Sequence, residues 1–137
     1  MDDLVRALVV RTDDAPAPAG AYSQGIAVNG FLFTAGFGPH DPSTGRVVGE
    51  TIEEQTAQVL RNLSAVLEAH GSGLDDVVKT TVHLQNLHRD FAGFNDVYRK
   101  SVPGPYPVRT TVGSELGGFL VEMDIIAAVR TPGGLVS

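Results

Sequence analysis

Ile26-Ala27-Val28-Asn29-Gly30-Phe31-Leu32-Phe33 is the stretch that decides the fold class. Two short runs of strand-forming residues flank Asn-Gly, the dipeptide best able to hold the positive φ angles of a two-residue hairpin turn. The chain therefore contains an antiparallel hairpin, with strands expected at about 24–28 and 31–37. Upstream, Leu4–Arg11 reads as another strand. Downstream, Asp41-Pro42-Ser43-Thr44-Gly45 reads as a turn, because Pro presets φ and Gly tolerates a positive one. Thr51-x-x-Glu54 is a capping box, and Ile52, Thr56, Val59, Leu60, Leu63, Val66, Leu67 and His70 then recur at spacings of three and four. That helix stops at Gly71, with His70 near its free carbonyls. Val77–Leu84 alternates Val78, Thr80, Val82 and Leu84 against Lys79, Thr81 and His83, and is a strand. A second helix over about 88–101 carries Phe91, Phe94, Val97 and Tyr98 on one face and is ended by Pro103, Pro105 and Pro107. Strands at about 107–113 and 119–130 complete the order βββαβαββ.

This order implies an α+β fold, a six-stranded sheet with two helices packed on one face. The other face is too apolar for water. Phe31, Phe33, Ala35 and Phe37 fall on one set of alternating positions. In the last strand Ile126 and Ala128 share a face with Leu120, Glu122 and Asp124, opposite Val121, Met123, Ile125, Ala127 and Val129. Such a face is expected to meet another subunit, so a homo-oligomer is expected. Residues 1–137 form one expected domain, with its core at about 5–130 and a flexible tail over 131–137 after Pro132-Gly133-Gly134.

Composition narrows the function classes. Ten basic residues against sixteen acidic ones give a net charge of −6, which argues against a nucleic-acid or anionic-membrane surface. The absence of Cys removes disulfides, thiolate nucleophiles and Cys-ligated metals. His40, His70, His83 and His88 form no metal-ligand spacing, so no metal site is expected. Met1-Asp2-Asp3-Leu4 lacks the basic, apolar start of a secretory signal, and a cytoplasmic location is expected. Residues 15–40 carry no charge, but Pro16, Pro18, Gly20 and Gly25 break the run well short of a membrane span. Gly36-Phe37-Gly38 lacks a phosphate-loop ending, and no G-x-S-x-G elbow occurs. Asn62-Leu63-Ser64 matches a glycosylation sequon within a helix and carries almost no weight.

Arg109 interrupts the strand Pro107-Val108-Arg109-Thr110-Thr111-Val112. A charge there needs a partner. It is either a structural salt bridge or edge residue, or a clamp for a substrate carboxylate. Glu122 interrupts Phe119-Leu120-Val121 and Met123 in the same way. It either pairs with an internal Arg or orients a water for attack. An Arg and a Glu facing one small cavity would suit hydrolysis of a small anionic substrate. Asn95 is read either as a solvated helix residue or as a site residue.

The residues also resemble a known family. Gly20-Ala21-Tyr22-Ser23-Gln24, Phe33-Thr34-Ala35-Gly36, Asp41-Pro42-x-Thr44-Gly45, Gln55-Thr56-x-x-Val59-Leu60-x-Asn62-Leu63, Asp76-Val77-Val78-Lys79-Thr80-Thr81-Val82, Phe91-x-x-Phe94-Asn95-x-Val97-Tyr98, Val108-Arg109-Thr110-Thr111-Val112 and Val121-Glu122-Met123-Asp124 are similar to segments of the YjgF/RidA reactive-intermediate deaminases, in order over about residues 5–130. The resemblance implies a chorismate-mutase-like fold. It implies a homotrimer with sites at the subunit interfaces, no cofactor, and hydrolysis of reactive 2-imino acids or enamines of the 2-aminoacrylate type to 2-keto acids and ammonia. By the same resemblance the catalytic residues are Arg109, Glu122 and Tyr22. Substrate binding falls to Arg109, Thr111, Asn95, Ala35, Gly36 and Phe37, with Thr111 where members often carry Cys. The chain departs from the pattern at Ala21, where Pro is usual, and at Phe37, where Gln is common. The loop Gly113–Gly118 is about two residues shorter than usual. A specialised deaminase acting on an aminomuconate-type or aminoacrylate peracid substrate, and a non-enzymatic ligand-binding or chaperone-like protein, are the alternatives.

Overall fold

The computed structural model describes residues 7–130. The elements follow the expected order: β1 (Leu8–Val10), β2 (Gly25–Val28), β3 (Phe31–Thr34), α1 (Ile52–Glu68), β4 (Val77–Leu84), α2 (Leu87–Ser101), β5 (Val108–Gly113) and β6 (Val121–Ala128). The six strands form one sheet in the order β1-β2-β3-β6-β4-β5. β4 and β5, joined through α2, are parallel, and the other neighbours are antiparallel. Asn29 and Gly30 take φ values of 52° and 83°, as a hairpin turn of primed type requires.

Both helices lie on one face. The Thr51 hydroxyl accepts from the Glu54 amide, and the Glu54 carboxylate accepts from the Thr51 amide, so the capping box starts α1 as its residues demand. These bonds hold the Glu54 carboxyl below its ordinary value, the largest contribution coming from the Glu50 amide. α1 buries Val59, Leu63, Val66 and Leu67 against Leu32, Val82, Val121, Met123 and Ile125 of the sheet, and Phe94 and Tyr98 of α2 complete the core. Burial of each such side chain removes about 1.5–3 kcal/mol of unfavourable exposure. Among the described residues no helix is long and apolar enough to cross a membrane.

Three expectations are corrected. The first strand is limited to Leu8–Val10, with Leu4–Arg6 outside the described residues, as is the tail at 131–137. The strand expected over 31–37 ends at Thr34. There the Thr34 hydroxyl, in place of a main-chain oxygen, accepts the Ile125 amide. Pairing with β6 resumes at Phe37–Met123 with one extra residue on the β3 side. A one-residue bulge inverts the facing of everything beyond it. Phe31 and Phe33 therefore face outward, whereas Phe37 is in the core at 5% exposure rather than on their face. A second bulge lies between Val77 and Lys79 and turns Val78 outward, away from the buried set of Thr80, Val82 and Leu84.

The face of the sheet opposite the helices is uncovered in the single chain. Val9, Phe31, Phe33, Val108 and Val112 are all exposed on it. Among the described residues, β4 and β6 place Lys79, His83, Glu122 and Asp124 on it.

Candidate active site

β5 runs parallel to β4, with Arg109 beside Thr80 and Thr111 beside Val82. Thr80 and Val82 are buried beneath α2, so Arg109 and Thr111 point to the helix side. There α2 receives the guanidinium. Arg109 Nη1 donates to Asn95 Oδ1 at 2.9 Å. Its central carbon lies 4.8 Å from the Tyr98 ring centre, 5.5 Å from that of Phe94 and 5.7 Å from that of Phe91. These are cation–π distances. The Tyr98 hydroxyl is in turn bonded to the Thr80 hydroxyl at 3.0 Å, which fixes the ring on the sheet. The spacing of Phe91, Phe94, Asn95 and Tyr98 places all four on one stripe of α2, and this stripe is what the helix contributes.

Among the described residues no carboxylate pairs with Arg109. The structural salt bridge is therefore not what holds it. The guanidinium instead borders a cavity of about 400 Å³ lined by Asn95, Tyr98, Arg99, Tyr106 and Pro107. Arg99 is bonded to Asp96 at 2.6 Å, and Lys100 to the same carboxylate at 3.1 Å. The bonds from Lys100 and Arg99 hold the Asp96 carboxyl below its ordinary value. Arg99 is thus paired with a carboxylate, whereas Arg109 is bonded only to a neutral amide and keeps its charge and further donors for a ligand.

Glu122 lies elsewhere. On β6 it sits beside His83 and faces away from the helices. Its carboxylate covers Gly36 so closely that a Cβ there would stand 2.6 Å from Oε2. Glycine at this position leaves the carboxylate where it lies, and a larger residue would have to push it aside. Glu122 borders a second cavity, of about 360 Å³, with Tyr22, Gly36, Phe37, His40 and Phe119. Within one chain, then, Arg109 and Glu122 do not share a cavity. Tyr22 and Phe37 accompany Glu122, Asn95 accompanies Arg109, and Thr111 lies two residues along the strand from Arg109. Ala35 lines neither cavity, and its amide donates to the Gln24 carbonyl.

Two buried amides build the walls of the Glu122 cavity. Gln24 is 2% exposed; its Nε2 donates to the carbonyls of Thr12, Ala15 and Pro16, and its Oε1 accepts from the Thr12 amide. This gathers the 12–16 loop, and the Ala19 amide donates to the Tyr22 hydroxyl at 3.0 Å to close the next turn. Asn62 on α1 donates to the carbonyls of Gly38 and His40, and accepts from Gln58. The sequence alone marks Asn62 as a sequon residue and as part of a family-like segment, and gives Asn62, Gln24 and His40 no role in the site. The available signal was a polar residue set within the apolar stripe of a helix.

Known proteins are similar to this chain in sequence and fold. A family model described as Endoribonuclease L-PSP matches residues 12–129. The chain belongs to the YjgF/RidA family. A RutC family protein of Saccharolobus solfataricus is 46% identical over 121 residues, covering 87% of this chain and 95% of its own. The rat 2-iminobutanoate/2-iminopropanoate deaminase is 36% identical over 129 residues and 93% of both chains. The crystal structure of Escherichia coli TdcF with bound serine superposes with a TM-score of 0.82 at 32% identity, covering 90% of this chain and 99% of that one. This YjgF/RidA chain accordingly has the family's chorismate-mutase-like α+β fold.

Proposed function

We propose that the chain hydrolyses reactive 2-imino acids and their enamine tautomers, of the 2-aminoacrylate type, to 2-keto acids and ammonia. The observation that carries this reading is Arg109, a guanidinium oriented by Asn95 and three rings, with no carboxylate partner among the described residues. Such a group offers two parallel donors suited to a carboxylate. A relative named for imine deamination and a related fold that holds serine support a small amino-acid-like ligand.

The working unit in this reading is a homotrimer. Its copies cover the apolar sheet face that includes Phe31, Phe33, Val108 and Val112. The Arg109 cavity of one copy then meets the Glu122 cavity of the next, and each site draws on two chains.

The chemistry needs little beyond placement. An enamine first takes a proton at C3 and becomes an iminium. The iminium carbon is electrophilic. Glu122 accepts one proton from a water as its oxygen bonds to C2, giving a tetrahedral 2-amino-2-hydroxy acid. A proton then goes to the nitrogen, the C–N bond breaks with its electron pair leaving on ammonia, and the hydroxyl loses its proton as the keto group forms. Arg109 holds the carboxylate throughout. Tyr22 and Asn95 border the reacting groups, and the enzyme's gain comes from orientation and placed charge.

The test is direct. An amino-acid oxidase generates imines in situ, and semicarbazide captures them on a timed course. The protein is expected to accelerate imine loss and keto-acid appearance. Unchanged capture for every amino acid supplied would overturn the proposal.

A further inference from the structure

The Glu122 cavity has an aromatic rim that water activation does not require. His40 and Phe119 meet edge to face, with ring centres 5.0 Å apart and planes at 78°. Gly38 makes this pair possible. A Cβ at residue 38 would stand 2.8 Å from His40 Cε1, 2.9 Å from its Nδ1 and 3.0 Å from Phe119 Cε2, displacing both rings. Gly36 clears the floor under the Glu122 carboxylate in the same way. The bulge after β3 brings Phe37 to the cavity from the core side, and Tyr22 also lines it. The pair is held in place from behind, since Asn62 binds the carbonyls of Gly38 and His40, and Gln55 Oε1 accepts the Leu120 amide next to Phe119.

We infer that this rim receives the substrate's side chain, and that the preferred substrates are 2-imino acids bearing a bulky aromatic side chain. The inference rests on the imine-hydrolase reading. With the carboxylate on Arg109 and the water on Glu122, C2 has two other substituents, the imine nitrogen and the side chain, and a wall of rings suits the apolar side chain rather than the polar nitrogen. Four rings around a space of about 360 Å³ exceed what a methyl or ethyl group can fill. A benzyl group would meet Phe119 and His40 in offset or edge-on contact, the geometry these two already adopt with each other. A short side chain would leave the space to water and gain nothing from the rings.

The experiment compares imines generated by an amino-acid oxidase from phenylalanine and from alanine, each captured by semicarbazide. The wild-type protein is expected to favour the phenylalanine-derived imine at least about tenfold in kcat/KM, the scale on which apolar pockets discriminate. Phe119→Ala and His40→Ala each lower that ratio, and Gly38→Ala lowers it by pushing both rings aside without removing either. Calorimetric titration with phenylpyruvate and pyruvate gives a readout free of turnover, and phenylpyruvate is expected to bind the more tightly. Acceleration of both imines with a ratio near or below one, or a ratio untouched by all three substitutions, overturns the inference and leaves the hydrolase reading standing. No acceleration of any imine overturns the hydrolase reading instead.

Discussion

Arg109 and Glu122 lie on opposite faces of the same sheet. Arg109 is beside Thr80 and packs on the α2 rings, whereas Glu122 is beside His83 on the uncovered face. A single chain therefore divides the two charged groups that hydrolysis of an anionic imine would need together. In the proposed homotrimer, a second copy seated on the apolar face would reunite them. A C3 assembly would repeat one heterologous contact three times and close on itself.

That arrangement makes a mixing experiment informative. Arg109→Ala and Glu122→Ala chains are each expected to be inactive alone. Refolded together as mixed trimers, they regain activity, because a junction of an intact Arg109 with an intact Glu122 forms once in every mixed ring. Random mixing gives about a quarter of wild-type sites. Recovery of imine hydrolysis on mixing is the expected result, and complete inactivity of the mixture would place both groups in one chain's site.

The Arg109 clamp predicts a specific loss. Arg109→Lys keeps the charge but removes the fork that Asn95 orients at 2.9 Å. Hydrogen bonds to charged groups contribute about 1.5–3 kcal/mol, so kcat/KM should fall roughly a hundredfold. The folded state should change little, since the cation still lies over Tyr98. Keto-acid release near the wild-type rate would remove Arg109 from the clamp role.

Most of the element order was legible because strong local signals agreed: Asn29-Gly30 for the hairpin, Thr51 and Glu54 for the helix start, and three prolines after α2. What escaped was set by tertiary contact. The Thr34 hydroxyl replaces a main-chain acceptor for Ile125 and allows the bulge that sends Phe37 inward. No periodicity in Phe31–Phe37 carries that information. Val78 is displaced for the same reason, by a bulge that depends on β6. At the site, the character of Arg109 and Glu122 as charges in apolar strands was visible, but their placement on opposite faces required the register of β4 with both neighbours. Gln24 and Asn62 were missed because their partners are loop carbonyls, which side-chain patterns do not display.

Asp124 predicts a pH effect. It lies on the uncovered face beside Thr81, with Lys79 and His83 on the same face. Burial raises its carboxyl above the ordinary 3.8, and the nearby charges of His83 and Lys79 offset only part of that. The folded chain therefore holds this proton more tightly than the unfolded one does. The associated stability is full below about pH 3.8 and is lost as pH rises through the elevated folded value. Asp124→Asn, which cannot ionise, should raise Tm at pH 7 and lose its advantage in acid. A substitution that lowers Tm equally at both pH values would show that the cost of ionising Asp124 is not the controlling effect.

Asn62 carries the last prediction, which separates a structural from a glycosylation reading of the sequon. The side chain is 1% exposed, and its amide satisfies the carbonyls of Gly38 and His40 while its oxygen accepts from Gln58. Asn62→Ala leaves the Gly38 carbonyl without its donor, leaves the His40 carbonyl and the Gln58 amide only their 3.5 Å contact with each other, and opens space between α1 and the 38–40 loop. Each orphaned group costs about 1–3 kcal/mol, and water entering the new space recovers some of it, so a net loss of about 2–4 kcal/mol is expected. Urea unfolding at fixed protein concentration measures this, because the proposed assembly would make the midpoint concentration-dependent. Ser64→Ala destroys the same sequon without touching the network and should leave the midpoint close to wild type. If both substitutions shifted it equally, the buried amide would not be what fastens the cavity wall to the helix.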